Sequence, residues 1–244
     1  MKPILASILI GFTCAASLAE KPNVLLICVD DLKPLLGCYG VPIIKSPNID
    51  RLAARGMLFE RAFCNQAVCA PSRNALMTGL RPQTVGIYDL GTNFRKATPN
   101  AVTVAQHFRA HGYRAEALGK IMHTGQGNHE DPESWTVPHW RPKGGGYKLP
   151  ESMANPKPRK DGSLRGASTE CADVPDNAYA DGMIADEAIA RLRAAKEKPG
   201  EPWFIAVGFP QTAPAVCRAE KILGPLPTRV IPASQTEDAT HRRA

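Results

Sequence analysis

Two short runs without a single charge, NVLLICV at residues 23–29 and WFIAVGF at 203–209, set the terms for this fold. Each is continuously apolar rather than alternating. That is the pattern of a strand covered on both faces, and such strands belong to parallel sheets. Helical spacing lies between them. SPNIDRLAARG (46–56) puts Ile49, Leu52 and Ala53 on one helical face and stops at Gly56. PSRNALMTG (71–79) has proline in its first turn and glycine at its end. TPNAVTVAQHFRAHG (98–112) predicts a helix closed by Gly112, and residues 177–200 predict another, with Ile184, Ala188 and Leu192 at i, i+4, i+8 before a Pro-Gly stop. MLFERAFC (57–64) and YRAEALGK (113–120) read as further strands. Strands alternating with helices predict an α/β fold, a mainly parallel sheet flanked by helices. No internal repeat and no inter-domain linker interrupts it. Residues 124–176 are polar and rich in Gly, Pro and Lys, too long for an ordinary connection, and are expected to form a functional loop.

The chain opens MKPILASILIGFTCAASLAE. Lys2, the apolar stretch over 4–18 and the small-x-small Ser17-Leu18-Ala19 predict a secretory signal over residues 1–19, and hence an exported protein, periplasmic or extracellular. No other run is long enough to span a bilayer, so stable membrane insertion is not expected. A formal charge of +7 and a pI near 9.1 favour a polyanionic partner such as nucleic acid, an acidic glycan or a sulfate ester. Nucleic acid is disfavoured, because no aromatic-basic RNA motif and no recognition-helix pattern is present. Of the seven cysteines, Cys14 leaves with the signal, and Cys28, Cys38, Cys64, Cys69, Cys171 and Cys217 show neither CxxC pairs nor zinc-like spacing. Cys28 lies inside an apolar strand and reads as core; no disulfide is assigned.

Sites in open α/β sheets gather at the carboxyl ends of strands. Three sets of chemistry-bearing residues fall at or near such ends. Asp30 and Asp31 are adjacent carboxylates after the first strand; together they need a cation, and oxygen-only ligands favour calcium or magnesium over zinc. Asp31 could equally cap the next turn. Cys69 precedes a helix start, where free N–H groups and the helix dipole favour negative charge, and Arg73 follows one turn later, within reach of an anion. A buried structural cysteine is the competing reading. Lys120 and His123 close the third strand-like run; a solvated loop histidine is the alternative for His123. His107 and His111, on a helix, read as surface residues, and His129 and His139 sit in the long loop.

The string Cys69-Ala70-Pro71-Ser72-Arg73-Asn74-Ala75-Leu76-Met77-Thr78-Gly79 matches the signature C-x-P-S-R-x-x-L-x-T-G of the sulfatase family. KPNVLLICVDDLKPLLGCYG, the segment from SPNIDRLAARG to VGIYDL, and LGKIMHTG resemble the iduronate-2-sulfatase branch in content and order, and the likeness runs over residues 21–209. The resemblance implies an alkaline-phosphatase-like catalytic region over 20–209. It implies that Cys69 is oxidised to formylglycine by a formylglycine-generating maturation enzyme, and that one hydroxyl of the hydrated aldehyde attacks sulfur. It assigns Asp30, Asp31 and the modified Cys69 to one Ca2+, Arg73 to steadying the nucleophile, and Lys120 and His123 to sulfate binding and proton transfer. The implied substrate is a sulfate ester, on a sulfated small molecule or glycan. A phosphonate or phosphate ester hydrolase of the same superfamily, or a non-catalytic remnant, are the alternatives.

The likeness stops after Phe209, where the branch continues with a Lys/Arg-Pro-His-x-Pro segment and this chain has PQTAPAVCRAEKILGPLP. Codons can be chosen for 210–227 so that omitting the first nucleotide restores R-K-P-H-L-P-F-V-A-P-K-K-Y-W-D-L-Y-P. Residues 210–244 are therefore expected to be an out-of-frame tail, leaving the catalytic region incomplete and the chain inactive. Sequencing the locus is expected to reveal a one-nucleotide insertion near codon 210; an uninterrupted frame matching that of intact relatives would dispose of this reading.

Overall fold

The computed structural model describes residues 21–153, 157–158, 164–165, 167, 169–210 and 215–216. The expected leader over 1–19 and most of the tail over 210–244 lie outside the described residues. At the centre are three parallel strands, β1 (Val24–Val29), β2 (Arg114–Gly119) and β3 (Trp203–Phe209), in the order β1-β3-β2. The alternation of side chains along a strand sorts them onto two faces. Phe204 and Ala206 of β3, with Ala115 and Ala117 of β2, join a core formed with Met77, Ile87, Phe94 and Ala105. Ile205 and Val207, with Leu118, turn the other way onto Ile184 and Ala188. β2 and β3 are therefore covered on both faces, by α2 (Cys69–Thr78) and α3 (Val104–Ala110) on one side and α4 (Ala180–Lys196) on the other; α1 (Pro47–Ala53) precedes α2 in the chain and joins neither core cluster.

Local signals account for the helices. Pro47 begins α1. Thr103 caps α3 in a reciprocal capping box with Gln106. That box starts the helix at Val104, so residues 98–103 are not helical, although the sequence pattern predicted a helix from Thr98. Gly79 ends α2 in the left-handed conformation. On α4, Ile184 and Ala188 are buried and Leu192 packs beside them, as their spacing required.

Three expectations are corrected. β1 is not covered on both faces: Val24, Leu26 and Cys28 pack onto the α2–α3 side, while Leu25 and Ile27 are 42% and 52% exposed. The reason is placement, since α4 covers β2 and β3 and does not reach β1. Residues 57–64 form no strand; Met57, Phe59 and Phe63 are exposed, and an apolar run needs a neighbouring strand to become one. Ile49 and Leu52 of α1 also stay exposed.

The described parts of the long polar region are tied down by hydrogen bonds. Its first part is anchored at Asn93, fully enclosed, which donates to Asn128 and to the His129 carbonyl. Arg95 forks onto Asp131, Gln106 and the Ala101 carbonyl, and Ser134 bridges Asp131 to Thr103. Residues 136–140 then run along the open edge of β2, exchanging backbone hydrogen bonds at Ala115, Ala117 and Gly119. Further along, the Glu170 carboxylate accepts from the N–H groups of Lys148 and Leu149 and from the Tyr179 hydroxyl. Burial would raise its pKa, but these donors hold it down at about 2. Among the described residues, no helix is long and apolar enough to cross a membrane.

Candidate active site

The three residue sets converge at the carboxyl ends of β1 and β2. β1 ends at Val29 and delivers Asp30, whose N–H is bonded to the Phe209 carbonyl at 2.9 Å. Asp31 has φ of 53°, a left-handed conformation that aspartate tolerates better than most residues. This turn bends the chain so that adjacent carboxylates, which would point to opposite faces of a strand, reach one place. From the other side comes α2. Cys69 is its first residue, after the extended Val68, and no side chain caps the turn. Arg73 lies one turn along, on the buried face.

The resulting cluster is tight. Arg73 Nη2 meets Asp30 Oδ1 at 2.7 Å, and the Lys120 ammonium pairs with the other carboxylate oxygen. Cys69 Sγ is 3.7 and 3.9 Å from the two Asp30 oxygens and 3.7 Å from Lys120 Nζ. Arg73 Nη1 also donates to the carbonyls of Lys120 and Ile121, so a single guanidinium ties α2, β1 and the end of β2 together. Burial works against the Asp30 charge, but the hydrogen bonds and charges of Lys120 and Arg73 outweigh it, and its pKa lies below the ordinary 3.8. His123 stands beside this group. Burial, and then the positive charges of Lys120 and Arg73, lower its pKa and favour the neutral imidazole. Both its ring nitrogens are enclosed with no hydrogen-bond partner among the described residues. Such orphaned groups await a ligand or water.

Asp30, Asp31 and Cys69 each offer a ligand atom, and these atoms lie within 4.8 Å of one another. The two carboxylates suit a hard cation, and ligands at about 2.3–2.6 Å from one Ca2+ would span such distances. The donor set fits; an oxygen at position 69 would suit Ca2+ better than sulfur. Arg73 and Lys120, which neutralise Asp30 here, would share it with the ion.

Sequence reasoning named all six of these residues. It missed the glycines that let β2 deliver Lys120. Gly119 has φ of 70°. A Cβ on Gly208 would lie 2.0 Å from the Lys120 carbonyl oxygen. The signal was available, since a glycine inside the apolar run 203–209 marks close backbone approach. His139 was also left without a role. Its ring is held between Glu130 and the Gly119 carbonyl, at 2.6 and 2.8 Å, clamping the loop to the strand end.

Comparison with known proteins places this geometry. The family model described as Sulfatase matches residues 22–219. Iduronate 2-sulfatase of Mus musculus is 39% identical over 83% of this chain, and this chain spans 38% of that protein's length. Among solved structures, a putative sulfatase from Bacteroides thetaiotaomicron aligns over 79% of this chain and 36% of its own, with a TM-score of 0.56 and 24% identity. The phosphonate monoester hydrolase of Agrobacterium radiobacter aligns over 78% and 41%, with a TM-score of 0.57 and 22% identity. The last two share the fold.

Proposed function

This chain belongs to the sulfatase family, and from that premise we propose that it carries the nucleophile-bearing part of an exported sulfuric ester hydrolase acting on sulfated sugars. The observation that carries the reading is the position of Cys69: first turn of α2, 3.7 Å from both Asp30 and Lys120. A purely structural cysteine gains nothing from two flanking ions and an uncapped helix start.

Converted by a maturation enzyme to formylglycine, residue 69 would supply a hydrated aldehyde as nucleophile. A Ca2+ held by Asp30, Asp31 and residue 69 would supply positive charge opposite the ester's anionic oxygens. The chain's own groups do the rest. Arg73 and Lys120 surround a tetrahedral anion with fixed positive charge, and the N–H groups of Cys69 and Ala70 at the uncapped start of α2 would add to it. Arg73 also fixes the Lys120 backbone, so its role is positional as well as electrostatic. Neutral His123, with both nitrogens unpartnered, is placed to accept or give a proton. The 39% identity to an iduronate sulfatase supports a sulfated uronic-acid glycan as the substrate class. The likeness to the phosphonate monoester hydrolase shows the fold alone; the family match and the 39% identity to an iduronate 2-sulfatase are what favour sulfate as the ester.

Mass spectrometry of the Cys69 peptide, isolated from the exporting host, is expected to show the lighter aldehyde form. An unmodified thiol would support the non-catalytic remnant. In a full-length chain with an intact frame, Cys69→Ala is expected to abolish hydrolysis of an aryl sulfate. Undiminished turnover would remove the nucleophile assigned here, and a preference for aryl phosphate would replace the ester.

A further inference from the structure

The last turn of α3 carries a pair of imidazoles that the proposed chemistry does not use. His107 and His111 stand at i, i+4, both exposed, with ring centroids 4.3 Å apart and planes inclined by 38°. His111 Nδ1 is 2.8 Å from the His107 carbonyl oxygen. A carbonyl can only accept, so Nδ1 carries the proton and Nε2 keeps its lone pair. Neither ring nitrogen of His107 makes a hydrogen bond among the described residues.

This spacing turns two imidazoles of one helix toward a common point, as in helices that present two histidines to a metal. An ion held about 2.0–2.1 Å from one nitrogen of each ring needs the two rings side by side, as these stand at 4.3 Å. The bond from Nδ1–H to a backbone carbonyl is also the contact that fixes tautomer and ring direction in ligating histidines. We propose that His107 and His111 form a two-point chelate for a borderline transition-metal ion such as Zn2+ or Ni2+, with water completing its shell. It is separate from the oxygen-rich Asp30–Asp31 cluster. Imidazole nitrogens select such ions over Ca2+, which takes oxygen.

Two neighbours shape the site. Lys21 opposes a cation, since its ammonium donates to the His111 carbonyl at 2.7 Å. Phe108, on the same turn, stacks on Phe204 of β3 at 4.8 Å. An ion bridging residues 107 and 111 would hold this turn closed, and binding to the folded state alone raises stability by mass action.

The test is a titration of the full chain with Ni2+ in excess Ca2+, which occupies the carboxylate cluster. Saturable binding is expected, with paramagnetic broadening centred on residues 107–113 and a rise in the thermal midpoint. His107→Gln and His111→Gln are each expected to weaken binding by about tenfold or more and to remove the thermal shift; Lys21→Gln should strengthen it. All three positions are exposed, so the fold should survive. Unchanged affinity in both histidine variants, or broadening centred on Asp30 and Cys69, would overturn the chelate. Neither result bears on the sulfatase reading.

Discussion

A Gly208→Ala substitution is expected to lower stability by about 3 kcal/mol or more and to withdraw Lys120 from the site. β3 lies between β1 and β2, with Gly208 paired to both Cys28 and Gly119. Its missing side chain leaves room for the chain that crosses over β3 at the end of β2. An alanine Cβ would sit 2.0 Å from the Lys120 carbonyl oxygen, 2.3 Å from its carbonyl carbon and 2.9 Å from its nitrogen. These are backbone atoms, so no rotamer change relieves the clash. They are also held by the Lys120 N–H bond to the Gly208 carbonyl, at 2.8 Å, and by the Arg73 fork. Denaturant unfolding of the variant measures the loss. Gly146→Ala is the control, because a Cβ there meets nothing within 4 Å. If both substitutions proved equally mild, the close approach would not be a constraint on the fold.

Arg73→Ala is expected to cost about 3–5 kcal/mol, since it strands a buried charge. The Arg73 and Asp30 side chains are only 8% and 10% exposed. Without the guanidinium, Asp30 keeps Lys120 alone, and the carbonyls of Lys120 and Ile121 lose their donor. Arg73→Lys is not expected to rescue it, because a point charge cannot fork between a carboxylate and two carbonyls. The pH dependence adds a signature. The folded pKa of Asp30 lies below its ordinary 3.8, so the stability it confers is complete above that value and is lost as the pH falls through the folded one. Arg73→Ala should therefore flatten the acid limb of the stability profile as well as lower its plateau. In a full-length active chain, turnover of an aryl sulfate should fall by about 10²–10³-fold or more. A variant with wild-type stability and an unchanged acid limb would show that the Arg73–Asp30 pair does not hold the site together.

How much of the site was legible in the sequence depends on how local each signal was. Asp30-Asp31 after an apolar run, Cys69 at a helix start and Lys120 at a strand end are statements about neighbours in the chain, and the structure places all of them together. Residues 57–64 and the face of β1 were misread for the opposite reason. Met57, Phe59 and Leu25 look like core to any reading of periodicity, yet burial depends on what lies across from them, and that is set by distant segments. α4 lies over β2 and β3 and stops short of β1, and no property of residues 23–29 encodes that.

Periodicity and spacing by themselves determined the α/β class, the existence of the helices found at Cys69–Thr78 and Ala180–Lys196, and which polar residues stand at the strand ends and the helix start. Each follows from hydrogen bonding and side-chain direction over a few residues, which short sequence determines. Only the tertiary structure decided that Asp31 turns left-handed to join Asp30, that one guanidinium fastens three elements, and that Gly208 makes room for Lys120. Those facts come from close packing between segments some 90 residues apart, such as Asp30 and Lys120. At that range the physics is steric and electrostatic, and it is specified by the whole fold rather than by any stretch of it.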